Sequence, residues 1–129
     1  MSLITDYFEE IYTAALVHPA VTSVQRIRFT VDINGQVGVY RYRIHLVNGD
    51  LLEMTERVTI ESGKCVATKY RHHWQDPDGV LKKRWDNAPH HPHLDGFPSH
   101  IHEGSEDNVK GHPPVHGLTV LRLVLDTFG

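Results

Sequence analysis

The chain has 129 residues, with 13 Lys and Arg against 16 Asp and Glu and a formal net charge of -3 when its 11 histidines are neutral. A length typical of one domain, with 40% hydrophobic and 22% charged residues, excludes a disordered polyelectrolyte, and no apolar run approaches the ~18 residues of a membrane span. The single cysteine, Cys65, excludes an internal disulfide, and the acidic opening segment lacks the basic region of a signal peptide, so the expected setting is the reducing cytoplasm.

Ile4, Tyr7, Phe8, Ile11, Tyr12, Ala15 and Leu16 recur at three- and four-residue spacing, which predicts an amphipathic helix over residues 1–17, ended before Pro19. From Val24 the apolar period becomes two, the mark of a half-buried strand. Asn34-Gly35 suits a hairpin turn, because both residues tolerate positive φ. The register it sets places Phe29 opposite Tyr40 and Ile27 opposite Tyr42. On the other face it places Arg28 opposite Arg41 and Arg26 opposite Arg43. For Leu52, Met54, Val58 and Ile60 to share a face with Tyr40, Tyr42, Ile44 and Leu46, the next loop must hold an odd number of residues, most simply Val47-Asn48-Gly49.

Ser62-Gly63 and Asp76-Pro77-Asp78-Gly79 supply two more turns, around a strand from Lys64 to Gln75 and before one from Val80 to Asn87. Residues 21–87 therefore read as a five-stranded antiparallel meander needing a covering layer, for which the first helix is available. Residues 88–117 carry five of the seven prolines and seven of the eleven histidines and read as a loop, with Glu103 to Lys110 its mobile part. Leu118, Leu121, Leu125 and Phe128 predict a short helix over 118–128. The expected fold is one α+β domain: N-terminal helix on a five-stranded sheet, His/Pro-rich loop, C-terminal helix.

Chemistry concentrates in Tyr70-Arg71-His72-His73-Trp74-Gln75, in Arg84-Trp85-Asp86-Asn87-Ala88-Pro89-His90-His91, and in Phe97-Pro98-Ser99-His100-Ile101-His102. A three-residue Pro77-Asp78-Gly79 loop would set His72 opposite Arg84 and Arg71 opposite Trp85. Phe97 is expected to anchor the loop and bring His100 and His102 toward the hairpin. This succession of motifs resembles the TumE-like family, small bacterial and archaeal proteins regarded as the toxins of type II toxin–antitoxin pairs. In that family the positions of Ser99 and Ile101 more often hold histidine and lysine. The resemblance implies a toxin role and a cognate antitoxin, with no reaction attached.

A reaction has to come from the residues themselves. Metal-independent RNA cleavage needs a base, an acid and cations for the developing phosphate charge, and imidazole serves both proton roles near neutrality. His72 with His91, or His90 with His100, are the candidate pairs; Arg71 and Arg84 bind phosphate, Asp86 orients an imidazole, and Trp74 or Trp85 stacks on a base. The alternatives are an ion-pair network with core tryptophans, a metal shared by strand histidines with His90, His91 and His93, or a non-enzymatic binder of nucleic acid or protein. Arg26, Arg28, Arg41 and Arg43 form an arginine-rich face that fits an RNA backbone, unless Glu53 or Glu61 neutralises it. No cofactor is expected, and a homodimer stays open.

Overall fold

The computed structural model describes residues 2–129. Helix α1 (Leu3–Leu16) starts where the Ser2 hydroxyl accepts from the Thr5 amide at 3.0 Å, an N-cap that satisfies one otherwise orphaned donor. Its inward residues Ile4, Phe8, Ile11 and Ala15 are all buried. Seven strands follow: β1 (Val21–Val31), β2 (Val37–Leu46), β3 (Leu51–Glu61), β4 (Lys64–Gln75), β5 (Leu81–Asp86), β6 (His100–Glu103) and β7 (Val109–Gly111), then helix α2 (Gly117–Asp126). They form one sheet in chain order, every neighbouring pair antiparallel.

Both helices cover the same face. Val120, Leu121, Val124 and Leu125 of α2 join the α1 stripe over Tyr40, Tyr42, Ile44, Leu52, Met54 and Val58. Gly38 lets α1 approach β2 closely, since a Cβ there would lie 2.7 Å from Ile4 Cγ2. Glu56 is buried on this side, accepting from Tyr7 at 2.9 Å and from Tyr40, and burial pushes its carboxyl up to about 7. Cys65, half-buried at the start of β4, packs against the same core.

The α+β class, the covering N-terminal helix and the C-terminal helix agree with the sequence reading; the strand number does not. The expected loop contains β6 and β7, and the stretch from Glu103 to Lys110 is their hairpin rather than a mobile segment. These strands are four and three residues long, too short to show periodicity among prolines and histidines. The Val47-Asn48-Gly49 loop is as expected, with Leu46 N donating to Asp50 O at 3.0 Å.

Two registers depart through bulges. Phe29 faces Tyr40 and Arg28 faces Arg41, but a bulge at Ile27 puts Arg26 opposite Tyr42 and Gln25 opposite Arg43. Arg26 therefore turns to the helix side, bonds Glu9 at 2.8 Å and lies 3.7 Å from the centre of the Tyr12 ring. Across β4 and β5 the bulge falls at Lys82, so Trp74 meets Lys83 while Gln75 meets Leu81. His73 thereby faces Arg84, His72 faces Trp85, and Arg71 faces Asp86, one residue from the expected pairing. Among the described residues no helix is long and apolar enough to cross a membrane.

Candidate functional site

Directly opposed residues of a sheet share a face, and three strands build one constellation on the face away from the helices. Arg71 and His73 of β4 pair with Asp86 and Arg84 of β5, which pair in turn with His100 and His102 of β6. Asp86 is the hub. Its Oδ1 lies 2.8 Å from His100 Nε2 and accepts from the Ala88 amide at 3.0 Å, and its Oδ2 accepts from Arg84 Nε at 3.1 Å. The other guanidinium nitrogens of Arg84 bind Glu106 at 2.6 and 2.5 Å, a bidentate pair that raises the guanidinium above its usual range.

The chain from 87 to 99 returns over this hub on defined anchors. Asn87 accepts from the Tyr70 amide through Oδ1 and donates to Thr68 O through Nδ2, standing in for a strand partner. The Tyr70 hydroxyl donates to Ser99 Oγ at 2.8 Å. His91 is thereby brought over β6, its ring centre 5.0 Å from that of His100 and 5.9 Å from that of His102. One ligating nitrogen from each of these three rings lies within 4.8 Å of the others.

The ring nitrogens of the β6 histidines are not equivalent. His100 Nδ1 lies 2.9 Å from Pro98 O and His102 Nδ1 lies 3.0 Å from Glu106 O. A carbonyl only accepts, so both Nδ1 atoms carry the proton and both Nε2 atoms turn toward Asp86, that of His102 at 3.6 Å. Burial pushes the His102 imidazole below its ordinary range. A hollow of about 480 Å³ opens onto these rings, within the size range of small-ligand clefts.

His91, His100, Arg84, Asp86 and Arg71 thus meet, and the other sequence candidates do not join them. His72 points into the core, wholly buried, with neither ring nitrogen bonded among the described residues. Burial drives it down to about 3, and its place opposite Met54 and Trp85 on the core side sets it apart from His91. His90 is exposed at the rim of the hollow, while the His100 ring is nearly buried. Trp74 and Trp85, 7% and 3% exposed, are core residues without a free face for a base; Trp74 donates to Asp50 at 2.9 Å. Phe97, 44% exposed, is not the anchor of the loop, a role taken by Ser99. Sequence reasoning gave no role in the acid–base pair to His102 and none at all to Glu106. The alternation in His100-Ile101-His102 signals the first, and no local pattern signals the second.

The arginine face divides in two. Glu53 neutralises Arg41 at 2.9 Å and Arg43 at 3.7 Å, and Arg26 is turned away. Arg28, Arg57, Lys69 and Arg71 are exposed and, among the described residues, pair with no carboxylate. They line one groove on the outer face, which runs past Tyr70 and Arg71 into the imidazole hollow.

Residues 11–128 match the family described as toxin TumE, and the chain belongs to that family. No curated protein and no solved structure shows significant similarity to it. The family carries a toxin role, in agreement with the resemblance seen in the Tyr70 to His102 motifs.

Proposed function

We propose that this toxin acts on RNA as a metal-independent ribonuclease, with phosphates held along the basic groove and proton transfer performed by the imidazole cluster. The observation that supports it is the continuity of four unpaired cations with three imidazoles on one open face. From Arg28 on β1 to Arg71 on β4 is three strand spacings, about 14 Å, a span that a few nucleotides cover. Exposed unpaired cations gain most from displacing counterions on a phosphate backbone, whatever the sign of the net charge.

In the proposed reaction His102 Nε2 takes the proton of a ribose 2′-hydroxyl, its Nδ1 fixed by the Glu106 carbonyl and its ring kept neutral by burial. The 2′-oxygen attacks the adjacent phosphorus. The bond to the 5′-oxygen breaks, and His91, the most accessible of the three rings, delivers the proton to that leaving oxygen. The products are a 2′,3′-cyclic phosphate and a 5′-hydroxyl end. Lys69 and Arg71, at the mouth of the hollow, offset the charge gained by the phosphate. His100, fixed between Pro98 and Asp86, orients the cluster. A cognate antitoxin with an acidic segment would neutralise the protein by filling the groove.

Expression alone is expected to arrest growth, and His91→Asn or His102→Asn to relieve the arrest at equal soluble level. Purified protein is expected to cleave RNA in EDTA, generating cyclic phosphate ends. Tight RNA binding without cleavage would assign the protein instead to the non-enzymatic binders that the same groove favours. Normal growth at high soluble expression, with no RNA binding, would overturn both.

A further inference from the structure

The hub holds more electron pairs than it has protons to share. With Nδ1 of His100 and of His102 each donating to a backbone carbonyl, each Nε2 facing Asp86 is a bare lone pair in the neutral form of its ring, and Asp86 Oδ1 and Oδ2 are acceptors too. His91 adds a third imidazole over the same point. Lone pairs converging in a nearly dry site repel unless something positive lies between them, and the choices are a proton or a metal ion. Arg84 offsets one charge, but Asp86 and Glu106 together leave the set at one negative charge when the three imidazoles are neutral.

The geometry points to a binding site for a divalent transition cation of the zinc class, made by His91, His100 and His102 with Asp86 beside them, whose occupancy shuts off acid–base chemistry. Borderline-soft divalent ions take neutral imidazole nitrogen in preference to the oxygen-seeking magnesium and calcium. A ligating histidine characteristically donates its other ring N–H to a backbone carbonyl or a carboxylate, which fixes its tautomer, and His100 and His102 both have that second contact in place. Nitrogens bound to one zinc ion at ~2.0–2.1 Å lie roughly 3.3 Å apart. The three here lie within 4.8 Å, and a side-chain shift of about 1.5 Å at His91, half-buried on the 87–99 segment, closes the difference. A bound ion takes the His102 lone pair, so the ring no longer accepts a proton, and it holds His91 so that the ring no longer delivers one. The inhibitory half rests on the ribonuclease reading. The binding half does not.

Tag-free protein titrated with zinc against a chromogenic chelator is expected to bind one equivalent with micromolar or tighter affinity. His102→Gln should weaken that binding at least tenfold, and so should His91→Asn, whose loop position keeps the test sound if a β6 variant misfolds. His112→Asn, a half-buried histidine outside the cluster, should bind as the parent does. X-ray absorption of the one-equivalent complex should show three imidazoles around the ion. Equal affinity in the His91, His102 and parent proteins would overturn the site. One equivalent of zinc should lower RNA cleavage at least tenfold, with recovery in EDTA, and faster cleavage with zinc would overturn the inhibition while leaving the site. Absence of cleavage under every condition would remove the ribonuclease reading and the inhibition with it, and the chelator titration would still decide the site.

Discussion

His72 and His102 lie on opposite faces of the same sheet, both nearly or wholly buried and both pushed down by burial, yet only His102 has a partner for a ring nitrogen. On the helix side, His72 stacks on Tyr70 with ring centres 5.7 Å apart and contributes volume. On the open side, the Glu106 carbonyl takes one nitrogen of His102 and leaves the other aimed at a shared centre. Burial alone makes an imidazole inert. Burial with one nitrogen tied makes it directional.

The widest separation between the two faces is expected in catalysis. His102→Asn should lower RNA cleavage by a factor of ~100 or more, the usual worth of a positioned acid–base group, whereas His72→Phe should stay within about threefold of the parent. Equal losses would make His102 a packing residue as well. Stability should separate them in the reverse sense. Arg84→Met leaves Asp86 buried without its cation and should cost about 3 kcal/mol in denaturant unfolding. His72→Phe removes an imidazole whose burial without a partner is unfavourable by ~1–3 kcal/mol, so it should leave stability unchanged or raise it.

A smaller effect concerns pH, where Glu56 and His72 oppose each other inside the core. Glu56 titrates at about 7 in the fold, above its unfolded value of 4.5, so its contribution is full below that value and falls as pH rises through 7. His72 titrates at about 3, below its unfolded value of 6.5, so its contribution is full above 6.5 and is lost as pH falls toward 3. The two slopes, each at most about 1.4 kcal/mol per pH unit, cancel between pH 4.5 and 6.5. In that window Glu56→Gln should make stability rise with pH and His72→Phe should make it fall. Identical unfolding profiles for the two variants would contradict the cancellation. The smallest effect distinguishes free from neutralised arginines on the outer face. Arg71→Gln should reduce the slope of log affinity against log salt by ~0.7 for single-stranded RNA, and Arg41→Gln, already paired with Glu53, by less.

Much of this was legible in the sequence wherever a period or a turn spans enough residues. The α1 stripe, the Tyr40 and Leu52 faces and the Val47 to Gly49 loop follow directly from spacing. The bulges at Ile27 and Lys82 do not, because an extra residue in a strand leaves the composition unchanged while altering every pairing beyond it. That single-residue slip set Arg84 beside His73 instead of His72, which lies in the core opposite Met54. The gathering of His91 with His100 and His102 depends on contacts such as Tyr70 with Ser99, between residues 29 apart, which no local pattern encodes.

Gly117 opens α2, and its amide donates to the Tyr7 hydroxyl across 110 residues of chain at 3.3 Å. A Cβ there would overlap the Glu56 carboxylate and the Tyr40 hydroxyl, so only glycine fits. All sheet pairings, by contrast, join strands adjacent in the chain. Kinetically, the hairpins close short loops and can form in succession, while docking of α2 is the long-range step. The strands that carry Arg84, Asp86, His100 and His102 are therefore assembled by local pairing, and the docking of α2 proceeds on the far side of the sheet.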